Sequence, residues 1–273
     1  MDYMNLISKS LQNAWKYKFL WLFGFFAASY NGGGGNQGSS QLDIDPRLIP
    51  LIIMGIIAVM VIMFLLNTWA EGALIHGIKK KEYNLSTSFS DCSRAGFHHF
   101  LRIFGIKIFM FFAVIAAILA AAIFLVPAFL VHIGLGILLA ILVVPIFFIV
   151  IFMIVAVEGW SLRYVVLYDR TWDKSISSAW QLFRTNVGKT IGVAFSSFLT
   201  KILFVILTFL VLLVLAFPAI IIGLVTLGLA LIPLIALGVI ILILVSAYLG
   251  TFGSWVWTLG FMQMTDYTPP AKT

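Results

Sequence analysis

Glu71 and Glu158 are the residues of this sequence best placed to do chemistry. Each ends a long uncharged stretch, in EGALIHGI (Glu71 to Ile78) and EGWSLRYV (Glu158 to Val165), with His76 and Arg163 five residues further on. Ionisable groups in such settings are the usual pointers to function in a membrane protein. Two carboxylates facing one cavity would bind a cation, a proton or an amine. Set just beyond the apolar layer, each would instead pair with a neighbouring Lys or Arg. Asn67, one turn before Glu71 on the same helix face, would line a polar path or hydrogen-bond to another helix. Lys201, at the start of the last apolar stretch, would be a buried counter-ion or would snorkel to the surface. Asn67, Glu71, Glu158 and Lys201 are therefore the candidate polar path. Convergence of the two glutamates on one cavity would favour transport, and peripheral placement would exclude it.

No catalytic set accompanies them. HExxH, paired CxxC, GxSxG and the phosphate-binding loop are absent, which leaves no nucleophile, base and electrophile to assign, so the expectation is a non-catalytic protein. His98 and His99 are adjacent and are expected to diverge on a helix, while His132 belongs to the other end of its helix, so neither a metal nor a cofactor is expected. The single cysteine, Cys92, excludes an intramolecular disulfide and a thiol cluster.

The elements that must position these groups follow from composition. The chain has 273 residues, 62% hydrophobic and 10% charged, with a mean hydropathy of +1.12; a soluble domain is near half apolar and a quarter charged. A water-soluble fold is excluded. The charge of +7 points to anionic lipid or to topology control rather than to nucleic acid. Leu48 to Ala70 lacks charge over 23 residues, enough for one crossing. Ile108 to Val157 and Ile202 to Thr265, at 50 and 64 uncharged residues, read as helical hairpins. The first is expected to turn near Pro127 and His132 to Gly136, the second near Phe217, Pro218 and Gly223. Pro145 and Pro233 are possible hinges or static kinks in the fourth and sixth helices.

Phe19 to Tyr30 is short for a crossing and resembles a signal-peptide core, but charge placement argues for a crossing that starts nearer Trp15. The N-terminus, Lys79 to Lys107, Arg163 to Lys201 and the tail then share one face, and of the 17 basic residues only Arg47 lies opposite. The positive-inside rule makes that face cytoplasmic. Six crossings in the plasma membrane, with both termini cytoplasmic, are expected. The glycine-rich stretch Asn31 to Pro46 is then an extracytoplasmic tether.

A short pattern precedes each pair of crossings: SLQNAWKYK (Ser10 to Lys18), CSRAGFHHF (Cys92 to Phe100) and SISSAWQLF (Ser175 to Phe183). Its small residues, Ala14, Gly96 and Ala179, lie 82 and then 83 positions apart, each followed by an aromatic. EGALIHGI, EGWSLRYV and FGSWVWTL (Phe252 to Leu259) close the pairs. One transmembrane domain of three units, at about 5–80, 88–168 and 172–265, is the simplest reading. Ile176, Ala179, Trp180, Phe183 and Val187 form one helical stripe, so each unit is expected to open with an amphipathic helix at the cytoplasmic interface. Trp15, Phe97, Phe100, Trp180 and Phe183 are its expected membrane anchors, and Ser88 with Asp91 has the spacing of a capping box. Ala113, Ala117 and Ala121, like Ser246, Gly250 and Ser254, mark close helix contacts.

The small-aromatic helices, the opening AWKYKFLWLFGFFAAS (Ala14 to Ser29) with its glycine-rich follower, and the EG-ended helices together resemble a group of uncharacterised bacterial polytopic membrane proteins. That group is similar to the membrane region attached to some glycerophosphoryl diester phosphodiesterases. The chain has no room for their catalytic barrel, so the resemblance implies the fold and not the activity. Two functions are compatible with all this. One is a non-catalytic module that organises, senses or handles membrane lipid or an unidentified protein partner. The other is a small-solute or ion carrier with a polar path between the units.

Overall fold

The computed structural model describes residues 1–29, 49–225 and 231–267. They are all helical, with no strand among them. Helix α1 (Tyr3–Lys16) opens on Asp2, whose carboxylate accepts from the backbone N–H groups of Met4 and Asn5. A 3-10 turn over Lys18–Leu20 leads into α2 (Trp21–Ser29). Then follow α3 (Ile49–Glu82), α4 (Phe89–Val131), α5 (Ile133–Tyr168), α6 (Trp172–Thr185), α7 (Val187–Val225) and α8 (Leu231–Thr265). Five helices, α3, α4, α5, α7 and α8, are long and apolar enough to cross a membrane. The chain is a multi-pass membrane protein by that measure.

Burial is concentrated at one end of the long helices, with Ala128 and Gly136 beside the His132 turn as exceptions. Asn67 to Ile78 of α3, Cys92 to Met110 of α4, Ala156 to Leu167 of α5 and Ala247 to Met262 of α8 hold the buried positions. The most apolar parts of the same helices carry exposed Ile, Leu, Val and Phe. Lipid tails are as apolar as leucine, so helices gain little by burying such side chains against one another within the hydrocarbon. Beyond its edge the hydrophobic effect returns, at about 1.5 to 3 kcal/mol per large side chain. There Trp160, Trp255, Phe252 and Phe261 are fully buried. The Nε1 atoms of Trp160 and Trp255 are buried without a hydrogen-bond partner among the described residues. Trp21 instead donates to the Ala14 carbonyl at 2.7 Å.

Helices α3, α5 and α8 pack on one another, and each also packs on the helix that opens a different pair: α3 on α4, α5 on α6, α8 on α1. The ends of the three central helices are tied by the tail. Tyr267 donates to the Leu167 carbonyl at 3.1 Å and accepts, on its own carbonyl, the Tyr83 hydroxyl at 2.9 Å. Lys79 reaches the same Leu167 carbonyl at 3.1 Å.

Several expectations change. Pro127 stays inside α4, and the first hairpin turns at His132 alone, whose Nδ1 accepts from the Gly134 N–H at 3.0 Å. Helix α7 runs through Phe217 and Gly223 to Val225, so the second hairpin does not turn at those residues; 226–230 lie outside the described residues. Prolines are tolerated in membrane helices because neighbouring groups re-satisfy the freed carbonyls. Pro145 likewise sits inside α5, and Pro233 falls in the first turn of α8. The second small-aromatic pattern does not form a separate surface helix: α4 is continuous from its Ser88–Asp91 capping box to Val131. The stretch Asn31 to Pro46 lies outside the described residues.

Candidate functional site

The four polar-path residues do not share one role. Asn67 is fully buried between three helices. Its Nδ2 donates to the carbonyls of Phe26 and Ala27 at 3.0 Å each, and its Oδ1 accepts from Lys107. It fastens α2, α3 and α4 together through interhelical hydrogen bonds. Glu71 forms an ion pair with the same Lys107, Nζ to Oε2 at 3.0 Å.

Glu71 and Lys107 also line a cavity of ≈ 890 Å³, together with Glu158 and Arg163 of α5, Lys201 of α7, and Gly253 and Trp257 of α8. The two glutamates converge. Arg163 is 93% buried by its exposure of 7%; its Nη1 donates to the Gly159 carbonyl at 2.7 Å and its Nε is buried without a partner among the described residues. The guanidinium lies 5.9 Å from the centre of the Trp257 ring. Lys201 lies against bare backbone: a Cβ on Gly253 would come within 2.8 Å of its Nζ. Among the described residues no carboxylate lies within 4.0 Å of the cationic nitrogens of Arg163 or Lys201 in an ion pair.

Apart from the hydroxyls of Thr208, Ser246 and Ser254, the rest of the wall is apolar, with Leu74, Val155, Val205, Phe209, Leu212, Leu242 and Val245 among its members. Val155 of α5, Val205 and Phe209 of α7 and Leu242 of α8 are each more than half exposed while lining the cavity. The cavity therefore opens sideways, between helices, at the level where lipid surrounds the protein. Counting 1.5 Å per residue from the far ends of their helices places Glu71, Lys107, Glu158 and Lys201 at about 33 to 38 Å. That is the depth at which a hydrocarbon layer of about 30 Å gives way to head groups. The charges form one layer at that boundary, with aliphatic walls above them.

Lys107 and Arg163 were not among the residues the sequence singled out as a path. Lys107 looked like the last residue of a basic loop. It shares a helical stripe with Ile103, Ile106 and Met110, all buried, and that pattern already turns it inward.

Of the expected anchors, Trp15, Phe97 and Trp180 project from the surface, with exposures of 61%, 66% and 39%. Phe100 is half-buried, and Phe183 belongs to the core. His98 and His99 do not diverge. Their ring centroids are 4.7 Å apart, and their nitrogens and the Asp169 carboxylate lie within 4.8 Å of one another. Asp169 is already engaged by the Arg102 guanidinium, which competes with any cation there.

One comparison is informative about kinship. A family model matches residues 12–265, described as a family of unknown function, DUF7544. The chain belongs to that family. No match is found among curated proteins or among solved structures. Family membership covers nearly the whole helical region and assigns it no activity, so the geometry of the cavity has to carry the functional reading.

Proposed function

We propose that this protein is a non-catalytic membrane module that binds and handles a membrane amphiphile in the cavity between α5, α7 and α8. The observation that carries the reading is the shape of that cavity's chemistry: a layer of charges at head-group depth, aliphatic walls above it, and a lateral opening. A soluble solute needs no such apolar wall, and a lipid needs both halves. The partners are membrane lipids, with no role for nucleic acid. A second reading, the small-solute or ion carrier, is favoured by the convergence of Glu71 and Glu158.

The architecture proposed for this role has six crossings in three units. In the first unit, α2 spans about 14 Å at 1.5 Å per residue and would belong to the first crossing. Support for three units comes from matching environments. Ala14, Gly96 and Ala179 are all buried while the aromatics after them, Trp15, Phe97 and Trp180, are exposed. Each EG-type helix also packs on the opening helix of the next unit, closing a ring. In α1 and α6 the buried positions, Leu6, Ser10 and Ala14, and Ser175, Ala179, Leu182 and Phe183, lie on one side, as amphipathic interfacial helices would have them. The basic end is assigned to the cytoplasm, with both termini there, and the membrane to the plasma membrane. The likeness to the membrane region attached to some glycerophosphoryl diester phosphodiesterases rests on the quoted motifs, and no phosphodiester chemistry is drawn from it.

Native mass spectrometry after mild extraction tests the reading. Wild type should carry adducts of lipid mass, and Ser246→Trp, which fills the cavity wall, should lose them. Adducts that Ser246→Trp leaves unchanged would overturn the assignment to this cavity, and an adduct of a small polar solute would favour the carrier.

A further inference from the structure

The charges of the cavity do not balance. Lys107 and Glu71 neutralise each other at 3.0 Å, with Asn67 holding the ammonium from the other side. What is left facing the space is Arg163, Lys201 and Glu158, a surplus of one positive charge. Glu158 makes no ion pair within 4.0 Å among the described residues, although it lies near enough to Arg163 to interact with it electrostatically. Arg163 and Lys201 are likewise electrostatic neighbours. Two like charges held together and 93% buried in the case of Arg163 are costly unless an anion joins them. The unpaired Nε of Arg163 is a donor still to be satisfied.

Arginine and lysine in combination suit phosphate: the guanidinium supplies a planar fork of donors and the ammonium a compact charge. We infer that Arg163 and Lys201 are a phosphate clamp, and that the ligand is a singly charged phosphodiester, the head group of the amphiphile proposed above. The surplus of one matches a diester better than a phosphomonoester, whose second charge would fall beside Glu158. Gly253 is part of the device. With no side chain there, the Lys201 ammonium rests on the α8 backbone beside the cavity, and a Cβ at 2.8 Å would push it aside.

This inference rests on the amphiphile reading, and the test separates the two. Purified full-length protein is titrated in detergent with dioleoyl phosphatidylglycerol, with dioleoylglycerol, which keeps the tails and lacks the phosphate, and with glycerophosphoglycerol, which keeps the head and lacks the tails. Lys201→Gln, Arg163→Gln and Gly253→Ala are compared with wild type. Arg163→Gln removes a buried, hydrogen-bonded side chain and so risks the fold; Gly253→Ala, which displaces only the end of a flexible side chain, keeps the test open. The clamp predicts that phosphatidylglycerol binds at least tenfold tighter than dioleoylglycerol and that Lys201→Gln and Gly253→Ala each remove at least threefold of that preference. Equal binding of the two lipids, with silent variants, would overturn the clamp and leave the amphiphile reading standing. Binding of glycerophosphoglycerol as tight as that of the lipid would support the clamp and overturn the amphiphile. Binding of none of the three would overturn both.

Discussion

Lys107 holds the site together at the level of single residues. Its ammonium bridges Glu71 and Asn67, and Asn67 in turn binds the end of α2. Removing one member of a buried pair leaves the other charge unsatisfied, at a cost on the order of 3 kcal/mol. Lys107→Met is therefore expected to lower the unfolding temperature in detergent, and adding Glu71→Gln should recover most of the loss because no lone carboxylate remains. An unchanged Lys107→Met protein would contradict this. The sequence made Glu71, Glu158 and Lys201 visible because each breaks or borders a long uncharged run. Lys107 borders one too, but it was absorbed into a basic segment whose other members are solvated. Arg163 was seen only as a neighbour of Glu158, since nothing local says that a residue five positions on turns back along its own helix to Gly159.

Among the elements, α2 and α8 meet backbone on backbone. Gly24 of α2 and Gly250 of α8 meet so closely that a Cβ on Gly250 would lie 2.0 Å from the Gly24 carbonyl oxygen. Small residues permit such approaches where no hydrophobic force joins helices. Gly250→Ala is expected to prevent stable folding, whereas Gly55→Ala, with nothing within 4 Å of its added carbon, should be neutral or stabilising by up to about 1 kcal/mol. Matched expression and gel-filtration profiles of the two variants decide it; similar behaviour would show that the α2–α8 contact is looser than described. The small-residue spacing of Ser246, Gly250 and Ser254 exposed this contact in advance, and the Ser88–Asp91 capping box was equally legible. The first turn was legible at His132 to Gly136, but the places of the prolines and of Phe217 were not. Proline and glycine end helices in water, but at membrane depth their effect depends on neighbours that a single sequence does not reveal, so Pro127 and the region of Phe217 lie inside helices.

For the whole molecule, the proposed architecture joins three two-helix units around α3, α5 and α8, with the charged layer where these helices pack. The long apolar helices were readable from composition and order alone. The packing of α4 on α3, α6 on α5 and α1 on α8 was not, because it depends on which segments become neighbours. Topology follows from the same picture. In a Cys92→Ser background, single cysteines at Lys9, Lys174 and Asp266 should react with a membrane-impermeant maleimide from the cytoplasmic side, and one at Val131, which is 78% exposed, from the opposite side. Labelling of Lys9→Cys and Asp266→Cys from different sides would remove the sixth crossing.

The central claim is that the charged cavity receives an amphiphile. A density map of the protein in native-lipid nanodiscs tests it most directly. The account predicts elongated density between α5, α7 and α8, its head within hydrogen-bonding distance of Arg163 and Lys201 and its tail along Val205, Phe209 and Leu242. A cavity closed by an Arg163–Glu158 ion pair, or filled by solvent alone, would contradict it.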